Sequence, residues 1–302
     1  MTFAEFMALA LYDPEVGYYS RPKPRVGYAP GTDFFTASTS GPIFGELIAA
    51  ACQKLLGSRN PREFTFVELG AETAGGVLAG VAHPFGSART MQLGSSLQLQ
   101  GNCVIFSNEL FDAQPFHRFV FRRGAWRELG VALREEILAE VELASATPAN
   151  LPASAPESYV IDAPFAASTL LDQIAAQPWT GLFIACDYGK SWAELTTATP
   201  AGTARAYFRH TQSNDLLAQP GEQDLTCHIC WDWLAERLAA HRFTTPLVES
   251  QETFLIRHAG DFIAATSLAE AARFSPKKLA LMQLLHPAHL GQKFQVLHAL
   301  RE

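Results

Sequence analysis

The chain has 302 residues, 48% of them apolar and 18% charged, a globular balance that supplies a large core and suits one large α/β domain with additions or two small domains. A net charge of −7 without a basic stripe argues against nucleic acid as a partner. Five cysteines, an odd number spread through apolar settings, read as reduced thiols of a cytoplasmic protein and not as a disulfide framework.

The first residues carry Glu5 and no basic stretch, which is unlike a signal peptide. No apolar run approaches the ~18–20 residues that a membrane helix needs. Residues 3–12 space Phe3, Phe6, Leu9 and Ala10 along one helical face, with Thr2 and Glu5 placed as a capping box. Asp13-Pro14 ends that helix. Residues 13–42 are rich in Gly, Pro, Tyr and Ser, and Tyr18, Tyr19, Tyr28, Phe34 and Phe35 point to a long packed loop. Residues 43–56 form a second amphipathic helix.

Phe64 to Gly70 (FTFVELG) reads as a buried strand ending in an acid and a glycine, followed by small residues and an Ala/Val/Leu stretch expected to be helical. That is the opening unit of a doubly wound sheet. Further buried strands are expected at residues 103–107, running into Asn108-Glu109, and at 181–186, running into Asp187-Tyr188-Gly189. Between them, residues 116–144 alternate apolar and charged groups as hairpins do. Residues 145–158 (SATPANLPASAPES) read as a mobile surface connector, and 166–177 as a helix. A helix near 231–240, a strand-like Phe254-Leu255-Ile256 and a helical tail over 262–301 complete the chain. Three strands thus end in polar clusters, and in an open α/β sheet the ligand crevice lies outside the carboxyl ends of the strands.

Several segments, in order, resemble the MidA-type family of class I S-adenosylmethionine-dependent methyltransferases. They are FAEFMALALYDPEVGYYS at the start, GTDFFTASTSGPIFGELIA (31–49), VELG (67–70), NELFDAQPFHRF (108–119), DYG (187–189), RAYFRH (205–210), PGEQDLTCH (220–228) and LLHPAHLGQKFQVL (284–297). The resemblance implies a Rossmann-like methyltransferase sheet with additional helical segments, and S-adenosylmethionine as methyl donor. Residues 1–60 would cover the cofactor crevice, 61–261 would form the core, and 262–302 would pack on it as a helical tail. It further implies a protein acceptor, since mitochondrial relatives methylate an arginine in a respiratory complex I subunit and assist assembly of that complex.

Three features depart from the family pattern. Glu72 and Ala74 stand where the first motif has its second and third glycines, which permit close backbone approach and positive φ; Gly75 or Gly76 is the substitute if the loop shifts. No Asp or Glu lies between Glu72 and Glu109, so the acid expected to grip the ribose after the second strand is missing. Ser38-Thr39 replaces the family's Pro-Glu. These departures keep open an alternative: a catalytically inactive relative that serves as a protein-binding or assembly factor.

The resemblance assigns Phe34, Thr36, Glu68, Gly70, Gly75 and Asn108 to the cofactor. Asn108, Glu109, Asp112 and Asp187 are assigned to the reacting end, and Tyr188, His210, Asp224 and His228 to the acceptor. Carboxylates suit a planar guanidinium, which they hold bidentately. Several have a plainer reading. Glu68 would cap a helix, Asn108-Glu109 would be a helix N-cap and first turn, Asp112 a turn residue, and His210 a structural hydrogen-bonding histidine. Cys227-x-x-Cys230 lacks a second ligand pair and reads as core packing, so no metal is expected. Gly189-Lys190-Ser191 is no phosphate loop, because that motif's first glycine would fall on Ile184 inside a strand.

Overall fold

A computed structural model describes the chain except residues 24, 28–31, 34–36, 72, 74, 145–147, 149 and 273–274. In chain order the elements begin with α1 (Phe3–Tyr12), α2 (Pro42–Leu56), β1 (Thr65–Leu69), β2 (Ser87–Met91) and β3 (Gly101–Asn108). Next come β4 (His117–Arg122), β5 (Ala125–Arg134), β6 (Ile137–Glu142), β7 (Val160–Ala163), α3 (Phe165–Ala175) and β8 (Trp179–Asp187). These are followed by β9 (Gly189–Lys190), α4 (Trp192–Thr197), β10 (Arg205–Phe208), β11 (Thr211–Ser213), β12 (Asp224–Thr226) and β13 (Ile229–Cys230). The last are α5 (Trp231–Ala240), β14 (Leu247–Ser250), α6 (Gln251–Ala269), α7 (Pro276–Leu285) and β15 (Gln295–Arg301). They form two units. One comprises Met1–Phe34, Phe111–Leu170 and Gly189–Leu234; the other comprises Phe35–Leu110, Leu171–Tyr188 and Ala235–Glu302.

The second unit is built on a six-stranded sheet in the order β14-β15-β8-β3-β1-β2. Strands β2, β1, β3 and β8 run parallel, and β15 lies antiparallel between β8 and β14. This is the α/β Rossmann-like sheet expected. Its central strands are apolar on both faces, as strands covered on both sides must be. One face presents Phe66, Val104, Phe106, Leu182, Ile184 and Val296. These pack against Phe44, Leu47 and Ile48 of α2, Phe254 and Leu255 of α6, and Leu281 and Leu284 of α7. The pleat turns Val67, Ile105, Phe183, Ala185 and Leu297 to the opposite face, and these are buried too.

The sequence expectation fails in three places here. Among the described residues after β1 there is no helix: residues 77–80 form a turn before β2. Gly76 and Gly80, both at positive φ, interrupt the stretch, and glycine is a poor helix former. The plainer reading of Asn108-Glu109 as a helix N-cap and first turn is not met, since Glu109 has φ 52° and residues 109–116 are irregular. Phe254-Leu255-Ile256 lies inside α6, whose start is capped by the Ser250 side chain accepting from Thr253 N–H. The tail holds the end of α6 and all of α7, but residues 295–301 are a strand between β8 and β14. Short apolar runs fit a buried strand and a buried helix equally well, and only their neighbours decide.

The first unit holds an antiparallel sheet in the order β6-β5-β4-β7, a three-stranded sheet β11-β10-β12 and the short parallel pair β9-β13. α1 has the capping box expected from Thr2 and Glu5, and it buries Phe3, Phe6, Met7 and Leu11 in a cluster with Tyr18, Phe116 and Val131. Tyr18 anchors the loop after α1. Its hydroxyl donates to Asp33 at 2.7 Å, and Lys23 pairs with the same carboxylate at 2.8 Å. The described part of the 145–158 connector lies largely at the surface, as expected, and is anchored at one end. Leu151 is buried beside Phe121 and Trp126, and the Trp126 indole donates to the Pro152 carbonyl at 2.7 Å.

Candidate active site

Strand register assembles the site. Phe66 and Phe106 face α2, and two residues further along each strand the pleat returns Glu68 and Asn108 to that same face. Glu68 pairs with Phe106 across β1–β3, and Asn108 with Cys186 across β3–β8. Both side chains therefore stand at the carboxyl ends of parallel strands. The α2 N-terminus lies opposite, and between them is a cavity of about 230 Å³ lined by Pro42, Phe44, Glu68, Gly70, Gly76 and Asn108, among others.

Glu68 is buried, and its Oε2 accepts the Val77 N–H at 2.6 Å. It fastens the loop after β1 and does not cap a helix. Burial pushes its carboxyl up to about 7, against the Val77 N–H, which favours the charged form. Two glycines shape this loop. Gly70 ends β1 at φ 71°, where a Cβ would meet the Leu110 side chain. Gly76, at φ 58°, passes so close to Glu68 that a Cβ would collide with the carboxylate and with Thr90. Gly76, and not Gly75, lines the cavity.

Asn108 donates from Nδ2 to Glu109 Oε1 at 3.0 Å, while its buried Oδ1 has no partner among the described residues. The α2 N-cap is Gly41, which supplies no capping side chain, and Pro42 follows it. On one side, therefore, the cavity offers an acceptor that has no partner among the described residues. On the other it has a helix N-terminus whose partial positive charge favours an anion. An ammonium and a carboxylate on one small molecule match these two features, so the residues fit the amino-acid end of S-adenosylmethionine. Glu68 is the sole carboxylate among the described lining residues. Phe34, Thr36, Glu72 and Ala74 lie outside the described residues.

Asp187 ends β8 fully buried, its Oδ1 accepting the Tyr188 N–H at 2.8 Å. The Tyr188 ring packs on Phe294, centroids 4.0 Å apart. Neither residue lines the cavity.

The remaining candidates belong to the first unit. Asp112 is buried, and its backbone carbonyl accepts the Cys227 N–H at 3.0 Å. His210 is exposed at φ 61°, with Nε2 3.0 Å from Thr32 Oγ1. Asp224 is buried and accepts the Tyr19 hydroxyl at 3.0 Å; burial raises its carboxyl to about 6. His228 donates its N–H to Thr203 Oγ1, and its imidazole is pulled down to about 4 by burial and then by Lys190 and Arg205. Cys227 and Cys230 are both buried in the core. Gly189-Lys190-Ser191 forms β9 and the capped start of α4.

Sequence reasoning missed the α2 N-terminus. Gly41-Pro42 is a legible helix start, since Pro is favoured at the first helical position. Its place opposite Glu68 and Asn108 is set by packing.

Residues 90–247, just over half of the chain, match the model of a family described as "Putative S-adenosyl-L-methionine-dependent methyltransferase". No curated protein matches the sequence. A Burkholderia thailandensis protein solved with S-adenosyl-homocysteine is 23% identical, with a TM-score of 0.85 over 100% of this chain and 88% of that one. A native structure of a protein of the same superfamily from that organism is also 23% identical, with a TM-score of 0.82 over 100% and 87% of the two chains. At that identity the likeness speaks for the fold. Among the described residues no helix is long and apolar enough to cross a membrane.

Proposed function

The chain belongs to this family of S-adenosyl-L-methionine-dependent methyltransferases, and we propose that it is a MidA-type member that methylates a protein side chain, with arginine the acceptor. The observation that carries the proposal is the cavity at the ends of β1 and β3. Its Asn108 Oδ1, without a partner among the described residues, and the α2 N-terminus, whose N-cap Gly41 supplies no side chain, complement the two charges of an amino-acid moiety.

In this reading Glu68 holds the Gly76-Val77 backbone in place as the wall of the cofactor site. Asn108 accepts from the cofactor ammonium through Oδ1 and orients Glu109 through Nδ2. Glu109 holds the acceptor guanidinium, which a carboxylate engages through two parallel hydrogen bonds. Asp187, at the end of β8, is assigned with Glu109 to the reacting end. Bound S-adenosylmethionine supplies a methyl group on a sulfonium centre, and the transfer depends chiefly on alignment. Asp112 is assigned to the reacting end, and Tyr188, His210, Asp224 and His228 to acceptor recognition. Five buried cysteines without disulfides among the described residues suit a cytoplasmic setting.

Calorimetric titration of the full chain with S-adenosylmethionine and S-adenosyl-homocysteine tests the proposal. Binding on the order of −8 kcal/mol, a micromolar Kd, is expected for both. No binding at millimolar ligand would overturn it.

A further inference from the structure

Away from that cavity, at the β14 edge of the sheet, three side chains converge that the proposed activity does not use. Glu249 lies on β14 and His298 on β15. Leu247 pairs with His298 and Glu249 with Val296, so Glu249 and His298 share one face, offset diagonally by two residues. α6 crosses that face and brings His258. Glu249 Oε2 lies 3.1 Å from His258 Nε2 and 3.0 Å from His298 Nε2. One ligand atom from each residue falls within 4.8 Å of the others.

We propose that Glu249, His258 and His298 form a binding site for one divalent transition-metal ion of the zinc type. Two imidazoles and a carboxylate are a donor set that such ions take. With ligand distances of about 2.0–2.1 Å, tetrahedral coordination separates neighbouring ligand atoms by about 3.3 Å. The two nitrogen–oxygen separations are within a few tenths of an ångström of that value. The Phe254 ring packs against both imidazoles, centroids 5.1 and 5.4 Å away, and holds their planes. Arg257 pairs with the other carboxylate oxygen at 2.5 Å, the position of an outer-shell partner that orients a ligand. Its side chain is 59% exposed, so it can turn to solvent when a cation enters. The His258 side chain is 13% exposed, and a water would complete the coordination as fourth ligand. The ion would tie β14 and α6 to β15, making it a structural centre remote in strand order from β1 and β3. The competing arrangement is a closed ionic network, both histidines donating to Glu249 and Arg257 balancing its charge.

The test uses the full chain stripped with a chelator, then titrated with Co²⁺ and Zn²⁺. Expected are one ion per chain, a Co²⁺ visible spectrum of nitrogen and oxygen ligation without thiolate bands, and a Tm that rises with the logarithm of free Zn²⁺. His258→Gln should weaken binding at least tenfold while its far-UV spectrum without metal stays that of the parent. No stoichiometric binding by the parent chain, or binding that His258→Gln leaves unchanged, overturns the proposal. Should His258→Gln fail to fold, the parent Co²⁺ spectrum decides, because thiolate bands would place the ion on cysteines instead.

Discussion

Gly76→Ala tests the loop at the cavity wall. Two costs act there. A left-handed backbone costs an L-residue about 1–2 kcal/mol, and Gly76 sits at φ 58°. The new Cβ would also displace the Glu68 carboxylate, which accepts the Val77 N–H at 2.6 Å. Losing a hydrogen bond to a charged group costs a further ~1.5–3 kcal/mol. Gly80→Ala, four residues on, is the control. Gly80 has φ 69° and nothing within 4 Å of its would-be Cβ, so only the backbone cost applies. Urea unfolding should therefore show Gly76→Ala losing about 1.5–3 kcal/mol more than Gly80→Ala, the hydrogen-bond cost alone. Calorimetry should show weaker S-adenosyl-homocysteine binding for Gly76→Ala alone. Equal destabilisation with unchanged affinity in both variants would refute the account of Glu68 as the loop's anchor.

Further expectations concern pH, the sheet and the reacting end. Burial raises the folded Glu68 carboxyl to about 7 from an ordinary 4.5, so its contribution is fully present below ~4.5 and is lost as pH rises through 7, by about 3 kcal/mol at most. Glu68→Gln keeps an acceptor for Val77, so the stability gap between parent and variant should shift in the variant's favour from pH 5 to pH 8; a gap independent of pH would contradict the burial argument. Deleting residues 295–302 removes the strand bonded to both β8 and β14, and cooperative thermal unfolding should vanish. A truncated chain that keeps a sharp transition would show that β15 is dispensable. Asn108→Ala removes the unpartnered Oδ1 and should weaken S-adenosyl-homocysteine at least tenfold, about 1.4 kcal/mol. Glu109→Gln should leave that affinity within a factor of about three, under 1 kcal/mol, and lower turnover on an arginine-bearing acceptor; the opposite pattern would exchange the two roles.

Much of this protein is written in local pattern. The capping box of Thr2 and Glu5 marks the start of α1, and residues 231–240 are the helix α5 that their spacing predicts. The apolar runs of β1, β3 and β8 end in Glu68, Asn108 and Asp187 as expected, because a strand buried on both faces has few other compositions open to it. Those signals placed the candidate site at the strand ends. They could not give the partner of a short apolar run. QVLHALR is a central strand only because β8 and β14 offer their edges to it, and Phe254-Leu255 is helical because α6 lays them on the sheet. They could not give the missing helix after β1 either, where Glu68 folds back onto Val77 and takes up a backbone group that a helix would have satisfied. Contacts between residues far apart in the chain need the finished register. That register alone sets Gly41-Pro42 opposite Asn108, and it brings Glu249, His258 and His298, which share no motif, within reach of one another.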